Sequence, residues 1–332
     1  MNEPLLNTNR PSRRGLILRM VGTAFSMALL LYLIWSQGWG EFKQALSLIP
    51  WQIFGIAIGL TLSSRVCVTL RWLVLLRSAS AKISFWQAFR LMFMGNFASN
   101  FLPSTVGGDM VRLAGVVSLG VDAAVGAASL VLDRLIGMVG MASFGPYGLY
   151  LISQRPVGLG GPVYAPSLAI FASLRRVPVF DWIYRKAEPF VRSLMASTLN
   201  WFRRPVSLLL ALLCTYGHML FIFLVILVLL RAMHQPVSFV VIGALWSLSY
   251  FVALVPVSIN GLGLQEVSIT MLYSRFGGVS MESALALAVL MRLLFLLASL
   301  PGALFLPEIL KPIPRKEAVN AGSESAADKL AG

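Results

Sequence analysis

NFLPSTVGGDMVR, residues 100–112, interrupts an otherwise apolar chain, and VPVSINGLGLQEVS, residues 255–268, repeats the interruption later. Each runs from a proline through a short glycine-rich break to an acid placed to open a helix. The first uses Pro103, Gly107, Gly108 and Asp109; the second uses Pro256, Gly261, Gly263 and Glu266. In a bilayer such breaks are expensive, because lipid offers neither bare backbone nor an acid a hydrogen-bond partner. Meeting that cost twice points to a site.

The flanking segments put both breaks in a membrane. The 332 residues are 58% hydrophobic and 12% charged, with a mean hydropathy of +0.80. Soluble domains carry about 25% charge. Several apolar runs of about 20 residues are long enough to cross a bilayer, so the chain reads as a polytopic helical membrane protein. The net charge of +14 lies in short basic stretches beside apolar runs. The positive-inside rule accounts for that placement. No nucleic-acid partner is therefore expected, whereas attraction to anionic headgroups fits.

Known catalytic patterns are missing. Cys67 and Cys214 lie inside apolar runs, and His218 and His234 lack a metal-ligand spacing. Neither a disulfide nor a metal is expected, and no cofactor. There is no nucleophile elbow, P-loop or HExxH. Gly261-Leu262-Gly263 lacks the strand–helix setting of a dinucleotide fingerprint.

Outward from the first break, residues 1–15 read as a basic cytoplasmic tail and 16–36 as an uncleaved outward span. Residues 37–50 form an outer loop and 51–76 the second span, whose inner end Arg71, Arg77 and Lys82 mark. Within that span Arg65 either snorkels inward or faces the site. Gly55 and Gly59 form a GxxxG suited to close packing. The arm 84–101 and the short helix from Asp109 to about Val117 are too short for one ordinary span and suit a re-entrant hairpin. Asp109 falls in the first helical turn, where a carboxylate complements the dipole, and Arg112 at i+3 can pair with it.

A long helix, 121–153, is expected to kink at Gly145-Pro146. Asp133 and Arg134 lie deep inside it and point about 100° apart, so they need separate partners. An outer loop at 154–162 and a marginal span at 163–174 follow. The basic segment 178–204 reads as a cytoplasmic amphipathic helix lying on the membrane and bent at Pro189. Residues 206–231 span, 237–255 lead into the second break, 264–276 return, and 281–306 make a last span holding Arg292. The tail 311–332 reads as disordered and cytoplasmic.

These segments divide into two halves of opposite sense. Residues 51–76, 84–117 and 121–153 correspond to 206–231, 237–276 and 281–306. Asp109 precedes Arg134 by 25 residues, and Glu266 precedes Arg292 by 26. Paired interrupted helices of this kind mark a midplane substrate site in an inverted repeat. The expected fold is thus all-α, a transmembrane bundle of about seven spans plus two re-entrant hairpins. If both breaks meet near the bilayer centre, Asp109, Arg112, Arg134, Glu266 and Arg292 converge there. Their bases suit a lipid phosphate and their acids a balancing or cationic group, with Asp133 completing the headgroup set. Helix N-termini behind Gly107-Gly108 and Gly261–Gly263 add anion sites.

These residues resemble the lysylphosphatidylglycerol synthase transmembrane region, a flippase-like integral membrane family. The resemblance rests on Pro103…Gly107-Gly108-Asp109…Arg112, on Asp133-Arg134…Gly137, on Gly261-Leu262-Gly263…Glu266, and on Arg292. It covers residues 15–310, with the transmembrane domain at 16–310. The family favours Glu where this chain has Asp133. The resemblance implies a cell-membrane domain that moves phospholipid between leaflets. In the large synthases that domain is joined to a soluble aminoacyltransferase. Here 22 residues follow Leu310, so aminoacylating activity is not expected.

The leading expectation is a lipid translocase for an anionic, aminoacylated or polyprenyl-phosphate lipid, multi-pass with both termini cytoplasmic, and not an enzyme. Its partners would be membrane lipids and, by its chemistry, an enzyme of lipid or glycan synthesis. The alternative is an enzyme or accessory subunit modifying a lipid headgroup, for which Asp109 with Asp133 is the one plausible titratable pair. A small-molecule transporter is a third reading, distinguished by a cavity open only to water.

Overall fold

The structure is a computed structural model and describes residue 47 and residues 49–100, 107–154, 204–254 and 262–310. The first span at 16–36, the segment 163–174, the segment 178–204 up to residue 203, both tails, and the break residues Pro103, Pro256 and Gly261 lie outside the described residues. The described elements are α1 (Trp51–Ser78), α2 (Phe85–Ser99), α3 (Gly107–Ser118), α4 (Ala123–Ala142), α5 (Gly145–Ser153), α6 (Pro205–Ala232), α7 (Phe239–Ala253), α8 (Leu264–Phe276), α9 (Met281–Ser299) and α10 (Pro301–Leu310). Among the described residues every regular element is helical.

Length sorts these helices into two kinds. α1, α4, α6 and the stretch Met281–Phe305 are long and apolar enough to cross a membrane. At 1.5 Å per residue, the 28 residues of α1 and of α6 run roughly 42 Å, longer than the hydrocarbon core. α2, α3, α7 and α8 have 15, 12, 15 and 13 residues, and none spans alone. They pack instead as two short pairs, α2 with α3 and α7 with α8.

The first pair is antiparallel and glycine-tight. A methyl group at Gly95 on α2 would sit 2.8 Å from the carbonyl oxygen of Gly108 on α3, while Gly115 lies against Leu91. Moving back along α2 thus means moving forward along α3. In the second pair the Tyr273 hydroxyl, near the end of α8, donates to the Ile242 carbonyl near the start of α7 at 3.0 Å. Both pairs are hairpins of two short arms.

The two halves share their punctuation as well as their lengths. Ser80 (φ 66°) follows α1 by two residues, and His234 (φ 57°) follows α6 by two. Gly120 (φ 85°) and Gly278 (φ 72°) follow α3 and α8 in the same way. At Ser80 and His234 the next amide reaches back to close the turn, Ala81 to Leu76 and Gln235 to Leu230. That is the 6→1 bond of a Schellman stop. Serine then restarts the chain in both halves: Ser84 caps α2 in a capping box with Gln87, and Ser238 caps α7. α1 and α6, the matching long helices, pack along each other through the most extensive helix–helix contact described. Around this seam gather Met219, Ile222, Ile226, Leu285, Leu287 and Met291, all buried.

One expectation needs correction. The helix at 121–153 does not kink at Gly145-Pro146; it stops at Ala142 and restarts as α5, with the proline in the first turn of the new helix. A missing amide costs nothing there. The span expected at 281–306 is present as Met281–Phe305, with a turn at Leu300 and Pro301 opening α10 within it. Among the described residues nothing lies within 4 Å of a methyl group built at Gly55 or Gly59. Close packing falls to Gly108 of the first break and to Gly95, Gly115 and Gly302, which no motif marked; Gly302 lies against the Phe93 backbone.

Candidate functional site

The first break delivers α3 with two glycines at its start. Gly107 and Gly108 are buried, and a methyl group at Gly108 would collide with Ser99 Oγ and the Gly95 carbonyl. Asp109 and Arg112 then face the same neighbours one turn apart, bonded at 3.2 Å. From α4, Arg134 grips Asp109 with both its Nε and its Nη2, at 2.6 and 2.5 Å. Asp133, pointing elsewhere, accepts from Arg112 at 3.3 Å and from Arg71 of α1 at 2.6 Å. The separate partners demanded by their 100° offset are thus found.

The result is a continuous chain, Arg134–Asp109–Arg112–Asp133–Arg71. It reaches Thr215 of α6 through a 3.3 Å bond from Arg71. Exposure falls along it: the Arg134 side chain is 39% exposed and Asp133 is 3%. Among the described residues of this chain, three arginines stand against two aspartates, one positive charge more. One donor is also left over, the buried Nε of Arg112. That guanidinium lies over the Trp72 ring at 4.1 Å, and the indole N–H in turn donates to Ser129 Oγ at 3.1 Å. Cation–π contact supports the charge without supplying an acceptor. Glycines make room for the bases: a methyl group at Gly95 would sit 2.7 Å from Arg112 Cγ, and one at Gly137 would sit 3.2 Å from an Arg71 nitrogen.

The second break delivers a smaller group. Gly263, with φ 77° in the left-handed region that favours glycine, precedes α8. Glu266 is buried in the first turn and pairs with Arg292 of α9 at 3.5 Å. They border a recess also lined by Ile269, Ala288, Met291 and Phe295. Arg65 does not snorkel: its guanidinium lies 4.9 Å from the centre of the Phe295 ring.

Of the six residues expected at a headgroup site, Asp109, Arg112, Asp133 and Arg134 therefore come together in one group, and Glu266 pairs with Arg292 in another. Sequence reasoning missed Arg71, Trp72 and Thr215. Arg71 was read as a topological charge, but it lies seven residues before the end of α1, within the apolar run. That depth, with Asp133 needing a cation, was the available signal.

Among curated proteins none matches this sequence. The model of the family described as the lysylphosphatidylglycerol synthase TM region matches residues 19–302, nearly the whole chain, and the protein therefore belongs to that family of membrane proteins.

Proposed function

We propose that this membrane protein is a lipid translocase. It carries an anionic, aminoacylated or polyprenyl-phosphate lipid between leaflets of the cell membrane, with both termini cytoplasmic. One observation carries the reading, the buried Arg134–Asp109–Arg112–Asp133–Arg71 chain with its surplus positive charge and unpartnered Arg112 donor. A phosphate monoanion matches both, supplying one negative charge and acceptor oxygens. The family supports a role in lipid handling. Asp109 and Asp133, the pair headgroup chemistry would need, already hold two arginines each, which favours translocation.

The test is reconstitution of the full chain into vesicles carrying a fluorescent phosphatidylglycerol or polyprenyl phosphate, with quenching of the outer leaflet. Wild type is expected to move at least one such lipid. Arg112→Gln should slow it about tenfold, equivalent to about 1.4 kcal/mol at the barrier, while Arg112→Lys recovers part of the rate. Wild type that moves no phosphate-bearing lipid would overturn the proposal.

A further inference from the structure

The second charged group poses a different chemical problem from the first. Glu266 is as deeply buried as Asp133, yet it is not satisfied in the same way. Asp133 fills both oxygens with arginine donors. Glu266 offers Oε1 to Arg292 at 3.5 Å, beyond the roughly 2.7–2.9 Å of a well-made charge-assisted bond. Its Oε2 is buried with no hydrogen-bond partner.

The surroundings narrow what can complete it. α8 packs against α7 and α9. From α9 comes Arg292; from α1, Arg65 is held on the Phe295 ring. From α8 itself, the backbone amides of Gly263 and Glu266 approach the carboxylate. Tyr273 of α8 spends its hydroxyl on Ile242, and Tyr250 of α7 lies in the field of Arg71, Arg134 and Asp133. The recess beside Glu266 admits no water molecule. A hard metal cation needs about six oxygen ligands, and among the described residues no three acids, histidines or cysteines gather. An ammonium group is larger than water. A proton occupies no space, and it turns a charged acceptor into a neutral hydroxyl that burial penalises less.

We propose that Glu266 is a proton-binding site whose proton exchanges as the protein moves lipid. In the conformation described, Oε2 carries a proton taken from water. When α8 and α9 bring Arg292 fully onto the carboxylate, the proton returns to water and the ion pair replaces it. The proton site stands on the geometry alone; its coupling to transport rests on the proposed function.

The experiment uses the full chain in vesicles containing fluorescent phosphatidylglycerol. Infrared difference spectra during a pH titration read the carbonyl stretch of a protonated, buried carboxyl, and the same vesicles report lipid movement. Wild type should show the band at neutral pH. Glu266→Gln should lose it, and Glu266→Asp should keep it at a shifted frequency, which guards against a simple folding defect. Lipid movement by wild type should vary about tenfold per pH unit on the limb where Glu266 titrates, and in Glu266→Gln it should be flat. Absence of the band in wild type, or its persistence in Glu266→Gln, would overturn the proton site. Identical pH dependence in wild type and Glu266→Gln would overturn the coupling. A Glu266 band without any lipid movement would overturn the translocase reading and leave the proton site standing.

Discussion

At position 133 one carboxylate holds two buried arginines from different helices, Arg71 on one oxygen and Arg112 on the other. Removing it strands both guanidinium groups, and breaking a buried pair in this way costs about 3–5 kcal/mol. Asp133→Ala is therefore expected to lower the unfolding temperature in detergent markedly, and Asp133→Asn, which keeps one acceptor, less so. Thermal melts that leave the alanine variant at the wild-type temperature would remove Asp133 from its structural role. Sequence spacing foresaw part of this site. Separations of 25 and 26 residues marked Asp109 with Arg134 and Glu266 with Arg292, and both are ion pairs. It did not foresee Arg71, because a cation near a span end satisfies the positive-inside rule so readily that a deeper role goes unasked.

Elements are held by glycines whose value depends on their neighbours. Gly95 and Gly55 make opposite cases on apolar helices. Gly95→Ala places a methyl group 2.7 Å from Arg112 and 2.8 Å from the Gly108 carbonyl, so it should destabilise the first hairpin by about 1–3 kcal/mol. Gly55→Ala meets no described neighbour within 4 Å and should stabilise α1 by up to about 1 kcal/mol. A pair of melts decides, and equal shifts would contradict the packing. The GxxxG motif records what two glycines permit, and no described helix packs against it. The helix stops carry a similar prediction. His234 adopts φ 57° and Ser80 φ 66°, where glycines, Gly120 and Gly278, mark the other two stops. His234→Gly should therefore raise the melting temperature, relieving about 1 kcal/mol of left-handed strain. A lower melting temperature would count against it.

At the scale of the whole molecule, the order of lengths and stops in α1–α4 returns in α6–α9, and most of it was legible beforehand from proline, glycine and charge. The splits at Ser143–Phe144 and Leu300 were not, because proline in a first helical turn and proline that bends a running helix look alike in a sequence. The opposite sense of the halves has a direct test. In a background without Cys67 and Cys214, single cysteines replacing Thr105 and Asn260 should be labelled slowly and from opposite sides of the membrane. Labelling of both from one side would overturn the inverted arrangement.

The fall in exposure along the first charged chain also sets an order of events. Mobile salt ions screen exposed charges over about 8 Å at physiological ionic strength and reach buried ones far less. Arg134 is the open end of the chain, 39% exposed, whereas Arg112 and Asp133, at 7% and 3%, are enclosed. On the proposed function, an incoming anionic headgroup is therefore expected to meet Arg134 first and to compete there with Asp109. Only when Asp109 is released does the path to Arg112 open. On that reading the chain would act as a latch with one accessible end, and concentrated salt is expected to loosen that end while leaving the Arg71–Asp133 anchor in place.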